Sequence, residues 1–158
     1  MKVVISCDFA GYPLKTAVLQ YLKDNGYDVI DAGQKSEDEK ILYPQAAKAL
    51  AKVIRQKDAD KGILICGTGA GVSIVANKFK GVYAVACESI FTAQGIPIIN
   101  DANVLAMGNN VVGQKNAIAM VERFLSNSFA CNETPERKLF LQGMLQDVKK
   151  IEEENFKE

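Results

Sequence analysis

The sequence predicts an α/β fold, a three-layer domain in which helices cover both faces of a five-stranded parallel sheet. Short apolar runs alternate with amphipathic segments along the chain. The runs have no polar face, which is typical of parallel strands that are covered by helices on both sides. One run, residues 62–66, passes directly into a glycine-rich turn and a helix of small residues.

Ten elements follow from this pattern. Five apolar runs are predicted strands, at residues 3–6, 27–31, 62–66, 82–87 and 104–107. The segments after them are predicted helices, at residues 13–25, 43–56, 70–79, 89–94 and 114–126. The first helix has Leu14, Val18 and Leu22 on one face, and it ends before Gly26, as helices often do.

The last segment, residues 134–158, has a different character. It is predicted to be helical, mainly over residues 133–154, with an apolar stripe made of Leu139, Leu141, Met144, Leu145 and Val148. This stripe either packs on a neighbouring subunit or lies on the sheet of its own chain. We expect one domain over residues 1–158, with an α/β core at residues 1–128 and the C-terminal helix at a subunit interface.

Composition narrows the possible functions. The 19 basic and 19 acidic residues cancel, so no bulk charge attracts nucleic acid or an anionic membrane. Histidine is absent, which removes the commonest acid–base group and the commonest metal ligand. We therefore expect no metal and no cofactor, and chemistry that uses cysteine, carboxylate, hydroxyl or lysine groups.

The cysteines indicate a reducing compartment. The four residues form no C-x-x-C pair, so neither a zinc site nor a disulfide framework is expected at Cys7, Cys66, Cys87 and Cys131. The N-terminal apolar run is too short for a signal peptide. No stretch approaches the roughly 20 apolar residues of a membrane span. The expected location is the cytoplasm.

The turn after residue 66 is the strongest functional signal. Glycines at positions 67, 69 and 71 allow backbone N–H groups to approach an anion, and the following helix adds the positive end of its dipole. Cys66 lies where the strand ends and the helix is about to begin, a position that favours the thiolate. A base and an oxyanion cradle are therefore predicted within a few residues of each other.

A set of motifs in one order and spacing gives this signal a family context. They are Cys7-Asp8, Lys15, Tyr43-Pro44, Ile65-Cys66-Gly67-Thr68-Gly69, Gly71-Val72-Ser73, Ala76-Asn77-Lys78 and Asn100-Asp101-Ala102-Asn103-Val104. Together they resemble the ribose-5-phosphate isomerase B family, which includes the two subunits of galactose-6-phosphate isomerase. The resemblance extends from Met1 to about Ser128 and implies a Rossmann-like sheet, dimers or tetramers with active sites between subunits, and metal-free aldose–ketose isomerisation of sugar phosphates in carbohydrate metabolism.

The resemblance also implies residue roles. Cys66 matches the base that moves a proton between C1 and C2, and Thr68 matches the hydroxyl that assists it. The backbone from Gly67 through Gly69 to Gly71 matches the cradle of the enediolate oxygen. The matching substrate-binding groups are Asp8 and Tyr43 near the sugar hydroxyls, Ser73 after the turn, the amide of Asn100 and the phosphate-binding Arg137.

The sequence departs from the family at four functional positions. Phe9 and Ile99 stand where the pentose isomerases have histidines, and Ile99 replaces the ring-opening one. Asn110 replaces a phosphate-binding arginine, and Glu133 stands where the C-terminal motif of the family has a second arginine. The substrate has therefore shifted or the activity is lost. We expect a short open-chain substrate such as a tetrose phosphate; the alternatives are one subunit of a hetero-oligomer and a non-catalytic sugar-phosphate-binding protein.

Several of these residues also have a purely structural interpretation. Cys66 is alternatively an inert buried thiol, and Asp8 is alternatively a helix cap. Tyr43 alternatively packs at a helix start. Asn77 and Arg137 are alternatively a structural amide and a surface charge.

Overall fold

The computed structural model describes residues 1–156, and their strands and helices alternate as the sequence predicts. The strands are β1 (Lys2–Cys7), β2 (Asp28–Asp31), β3 (Lys61–Cys66), β4 (Ala84–Ala86) and β5 (Val104–Gly108). The helices are α1 (Tyr12–Asp24), α2 (Tyr43–Arg55), α3 (Ala70–Ala76), α4 (Ile90–Asn100), α5 (Gln114–Ser126) and α6 (Pro135–Asn155). The last two residues of the predicted tail segment, 157 and 158, lie outside the described part.

The strands form one parallel sheet in the order β2-β1-β3-β5-β4. After β1 the chain places β2 on one side of it, and then places β3, β4 and β5 on the other side. The carboxyl ends of β1 and β3 therefore form the topological switch point, where open α/β sheets bind ligands.

Two apolar cores lie on opposite faces of the sheet, which confirms the three layers. On one face, α1, α4 and α5 pack on alternate strand residues such as Ile5, Ile63 and Leu105. On the other face, α2 and α3 pack on the residues in between, such as Val4 and Leu64. Successive side chains of a strand point to opposite faces, so each strand serves both cores.

Helix α4 is longer than predicted. The expectation ended it at residue 94, but it continues through Gly95 and Pro97 to Asn100. Burial explains the difference, because Ala93, Ile96 and Pro97 are all packed in the core beneath the helix. Tertiary packing here outweighs the loss of one backbone hydrogen bond at proline.

Strand β4 is shorter than predicted, and it begins at Ala84 instead of residue 82. Side-chain amides hold the chain before it: Asn103 Oδ1 accepts a hydrogen bond from the Tyr83 N–H at 2.8 Å. Asn103 Nδ2 donates to the Gly81 carbonyl at 2.8 Å. These side-chain bonds replace the ladder bonds of a longer strand.

Helix α6 lies partly on its own chain. Leu141 is fully buried, and the Glu152 carboxylate accepts hydrogen bonds from the Gly81 N–H at 2.7 Å and the Tyr83 hydroxyl at 3.0 Å. Leu145 is half-buried, and the remaining large apolar side chains of the helix are exposed: Leu139, Phe140, Met144, Val148 and Ile151. Within residues 1–156, no helix is both long and apolar enough to cross a membrane.

Candidate active site at the carboxyl ends of β1 and β3

Asp8 and Cys66 lie side by side at the switch point. Cys7 is in register with Ile65, and the Asp8 N–H donates to the Ile65 carbonyl at 3.3 Å. The next pair in this register is Asp8 and Cys66. Cys66 is packed on the face that α2 and α3 cover, and Asp8, one residue beyond the end of β1, lies next to it in the backbone register.

The turn after β3 directs a backbone donor at the thiol. The Gly69 N–H donates to Cys66 Sγ at 3.1 Å, and Cys66 is almost fully buried. This geometry needs glycine, since Gly69 has φ of 82°, and a β-carbon there would lie 2.9 Å from the Met107 carbonyl carbon. The turn therefore fixes one backbone N–H group on the sulfur of Cys66.

The two hydroxyls of the turn differ in availability. Thr68 is exposed, and its Oγ1 only accepts a long hydrogen bond of 3.4 Å from the Ala70 N–H. Ser73 is nearly buried, and its hydroxyl donates to the Ala70 carbonyl at 2.8 Å. Thr68 can therefore exchange a proton with a ligand, while the Ser73 hydroxyl is used within α3.

Asp8 is positioned by the start of α1. Its Oδ1 accepts a hydrogen bond from the Gly11 N–H at 2.9 Å, and Gly11, not Asp8, is the N-cap residue. Burial raises the pKa of the Asp8 carboxyl above its ordinary value, and N–H bonds from Gly11 and Ala10 offset part of this rise. Asp8 thus supports the turn into α1 while it remains next to Cys66.

Tyr43 covers the same face. It is the first residue of α2, and its ring packs so closely on Gly71 that a β-carbon there would lie 3.0 Å from the ring. About half of the side chain is exposed, at 45%. No hydrogen bond among residues 1–156 uses its hydroxyl, which is therefore available to a ligand.

A buried charge cluster lies beneath this part of the site. Lys15 Nζ forms an ion pair with Asp31 at 2.5 Å and also donates to the Gln34 carbonyl at 2.8 Å. Burial raises the pKa of the neighbouring Cys7 thiol to about 11, against a smaller opposing effect of the Lys15 charge. Cys7 is thus an inert core residue. The sequence singled out Lys15 only as part of a motif, and nothing in its pattern signals the burial.

The predicted site residue Asn100 is placed elsewhere, and the predicted site residue Arg137 and the motif residue Asn77 make other contacts. Asn100 is the last residue of α4, close to the amino end of β5. Cys66 lies beside the carboxyl end of β5. This strand is five residues long and rises about 3.3 Å per residue, so its length separates Asn100 from Cys66. Arg137 lies in the first turn of α6 and stacks on Phe140 at 5.3 Å. Asn77 holds the start of β4: its Nδ2 donates to the Ala84 carbonyl at 2.8 Å, and its Oδ1 accepts from the Ala84 N–H at 2.8 Å.

Asn100 instead faces an apolar cavity of about 540 Å³ between α4 and α6. Ile99, at the position of the ring-opening histidine, lines the same cavity and is 41% exposed. Phe9, at the other histidine position, is 53% exposed beside Asp8. Neither apolar side chain can transfer a proton.

The comparisons with known proteins agree with this geometry. The model of the Ribose/Galactose Isomerase family matches residues 3–140. A 4-deoxy-4-sulfo-D-erythrose isomerase of Clostridium sp. (strain MSTE9) is 42% identical and covers 97% of this chain and 96% of its own. D-erythrulose-4-phosphate isomerase 2 of Mycolicibacterium smegmatis is 40% identical over 82% of this chain and 86% of its own.

A solved structure extends the similarity to the tail. Ribose-5-phosphate isomerase B of Clostridium thermocellum has a TM-score of 0.88 and 34% identity, and the match covers 98% of this chain and 99% of that chain. The family resemblance expected to end near Ser128 therefore continues into α6.

Proposed function

This chain belongs to the ribose/galactose isomerase family, and we propose that it isomerises a four-carbon aldose with an acidic group at C4 to the corresponding ketose. The observation that carries the proposal is the pair of Asp8 and Cys66 at the switch point, with the Gly69 N–H bonded to the thiol sulfur at 3.1 Å. The reaction proceeds through an enediolate and needs no metal.

Cys66 acts as the base in this mechanism. Its thiolate takes the proton from C2, the electron pair of that C–H bond forms the C1–C2 double bond, and the π electrons of the C1=O bond move to O1 to give the enediolate. The exposed Thr68 hydroxyl passes a proton from O2 to O1. The electron pair of O2 then forms the C2=O bond while the electron pair of the C1–C2 double bond takes the thiol proton at C1, which yields the ketose and regenerates the thiolate.

The glycine turn stabilises the enediolate. Its backbone N–H groups, from Gly67 to Gly71, are fixed by the fold before the substrate binds, so they need no reorganisation when charge develops. One such donor typically contributes about 2.7–4 kcal/mol to the transition state. Asp8 and Tyr43 are left to bind the hydroxyl groups of the sugar.

The missing histidines favour a substrate that has no ring. A furanose must be opened by an acid and a base at its ring oxygen, and Ile99 can be neither. A tetrose with phosphate on O4 cannot close a furanose ring, and a 4-deoxy-4-sulfo tetrose lacks the closing hydroxyl. Relatives that are isomerases of four-carbon compounds support this choice.

The sulfonated compound is the preferred substrate of the two. Phosphate esters carry about −1.5 to −2 charges at neutral pH, and arginine is the residue that binds them best. This chain has only the arginines Arg55, Arg123 and Arg137, and positions 110 and 133 hold Asn110 and Glu133. A sulfonate, with a single charge, needs less compensation.

We also propose that a second copy of the chain completes the site. Within one chain Asn100 lies at the amino end of β5, away from Cys66, and Arg137 belongs to the C-terminal helix α6, so we assign their predicted binding roles to the site of a neighbouring subunit. The exposed apolar stripe of α6, which includes Leu139 and Met144, is suited to such contact. Sedimentation should show a dimer or tetramer; a stable monomer at micromolar concentration contradicts the shared site.

Solvent exchange tests the mechanism directly. The purified protein is incubated in deuterated water with 4-deoxy-4-sulfo-D-erythrose, D-erythrose 4-phosphate or ribose 5-phosphate, and deuterium at C1 and C2 is measured. We expect exchange and net ketose formation with the tetroses. Cys66→Ala should reduce exchange by at least about a hundredfold, while Cys131→Ala, at a less buried cysteine, should leave it unchanged.

The other outcomes identify the alternatives. A kcat/KM for ribose 5-phosphate of about 10⁴ M⁻¹s⁻¹ or more from this chain alone would overturn the shift to tetroses. Exchange that appears only after a histidine-containing paralogue is added indicates a hetero-oligomer. Binding without exchange for every sugar indicates a non-catalytic protein.

A further inference from the structure

We propose that Asn110 is a specificity-determining residue that donates a neutral amide hydrogen bond to the acidic group of the substrate and favours one negative charge over two. The inference rests on the proposed function, since it concerns the far end of the same substrate. Its basis is the position of this side chain on the side of Gly67 that faces away from the base.

Asn110 is fixed against the loop that follows Cys66. It comes two residues after the end of β5, and its N–H donates to the Gly67 carbonyl at 3.0 Å. Its Nδ2 lies 3.4 Å from the position of a β-carbon on Gly67. The side-chain amide therefore borders the turn, although it is exposed at the rim of the sheet.

The amide presents its donor end to this space. Asn110 Oδ1 accepts a long and therefore weak hydrogen bond from Asn109 Nδ2 at 3.5 Å. No hydrogen bond within residues 1–156 uses Asn110 Nδ2 as a donor. A ligand oxygen above Gly67 would thus meet an N–H group that has no acceptor in the chain.

The base and the amide lie on opposite sides of Gly67. A β-carbon on Gly67 would also lie 3.7 Å from the Ala10 β-carbon, so this side faces the start of α1. The Cys66 thiol points to the other face, where it contacts the Gly69 N–H. A short substrate that extends across Gly67 therefore brings C1 and C2 to Cys66 and its far end to Asn110.

The side chain of Asn110 itself supplies no positive charge, and the buried lysine of the chain is engaged elsewhere. Lys15 is the buried lysine of the described chain, and Asp31 and Gln34 already use it. An amide N–H can donate equally well to a sulfonate or a phosphate oxygen. The second negative charge of a phosphate is stabilised mainly by a cation such as arginine. A neutral donor here therefore favours a sulfonate relative to a phosphate dianion.

The test compares kcat/KM for 4-deoxy-4-sulfo-D-erythrose and D-erythrose 4-phosphate at pH 8. Asn110→Arg should raise the phosphate-to-sulfonate ratio at least about tenfold, mainly through KM, because a charged hydrogen bond is gained chiefly by the dianion. Asn110→Ala should raise KM for both compounds by about fivefold or more, with kcat little changed, because it removes one hydrogen bond.

A matched control separates local from global charge. Gln56→Arg adds the same charge at the exposed C-cap of α2, at the opposite edge of the sheet, and should leave the ratio unchanged. The inference is overturned if Asn110→Arg changes the ratio no more than Gln56→Arg does, or if Asn110→Ala lowers kcat and leaves KM unchanged.

Binding distinguishes this failure from a failure of the proposed function. If the wild type isomerises neither tetrose, the proposed activity is wrong, and equilibrium titration with the unreactive D-erythronate 4-phosphate and 4-deoxy-4-sulfo-D-erythronate decides the role of Asn110. A shift of at least about tenfold toward the phosphate in Asn110→Arg supports it. An unchanged preference, or no binding of either acid, overturns it.

Discussion

The ring of Tyr43 lies where a side chain on Gly71 would otherwise be, with Cδ2 3.0 Å from the position of a β-carbon there. This contact joins the first turn of α2 to the first turn of α3 over the face that carries Cys66. The Tyr43 ring can occupy this position only because residue 71 has no side chain.

A double-mutant cycle tests this relationship. Alanine normally favours a helix over glycine by up to about 1 kcal/mol, but at position 71 it must push the Tyr43 ring away. We expect Gly71→Ala to be less favourable by at least about 0.5 kcal/mol with Tyr43 present than in a Tyr43→Ala background. Urea unfolding of the four proteins gives the coupling, and additive free energies of unfolding contradict the contact.

The buried ion pair of Lys15 and Asp31 should matter for stability. Lys15→Met leaves a carboxylate without its main partner, although Lys35 still contacts Asp31 at 3.2 Å. We expect a loss near the lower end of the range of about 3–5 kcal/mol for breaking a buried pair. The control, Lys35→Met, removes an exposed partner and should cost less than about 1 kcal/mol; equal losses in chemical denaturation would show that burial is not the cause.

Asn77 should be a structural residue despite its place in the family motif. Asn77→Ala removes both hydrogen bonds to the Ala84 backbone, so the free energy of unfolding should fall by about 1–3 kcal/mol. The rate of solvent exchange per folded molecule should stay unchanged at a temperature where the variant is folded. The exposed neighbour offers a control, Lys78→Ala, which should alter neither quantity. A kinetic defect in folded Asn77→Ala would assign it to the site instead.

Lys61 should make stability depend on pH. Burial lowers the pKa of Lys61 from 10.5 to about 8, while its ammonium donates to the carbonyls of Phe124 and Asn127 at the end of α5. Between pH 8 and 10.5 the unfolded chain binds more protons at this residue, so its contribution to stability rises with pH in that window. The free energy of unfolding of the wild type minus that of Lys61→Met should therefore rise from pH 8 to 10.5 and stay constant below pH 8. A difference that shrinks over the upper range would contradict the lowered pKa.

The fold was largely predictable because local patterns encode it. Apolar runs without a polar face define parallel strands, and the periodic apolar positions of α1, α2 and α5 define helices whose ends lie within a few residues of those predicted. Helix α3 ends at Ala76, three residues before the predicted end, and the other errors are at α4 and β4. In α4, Pro97 is tolerated because the helix is packed on the core. Before β4, hydrogen bonds from the Asn103 side chain replace those of a longer strand. Neither effect is visible in a local sequence pattern.

For the candidate site, the sequence by itself determined the turn after Cys66, since the glycines and the strand before them are adjacent in the chain. Only the tertiary structure decided that Asp8 lies beside Cys66, that Lys15 is buried on Asp31, that Asn110 borders Gly67, and that Asn100 lies at the opposite edge of the sheet. These relationships join residues far apart in the chain. They depend on strand order and register, which the packing of all the strands and helices sets together and no single segment specifies.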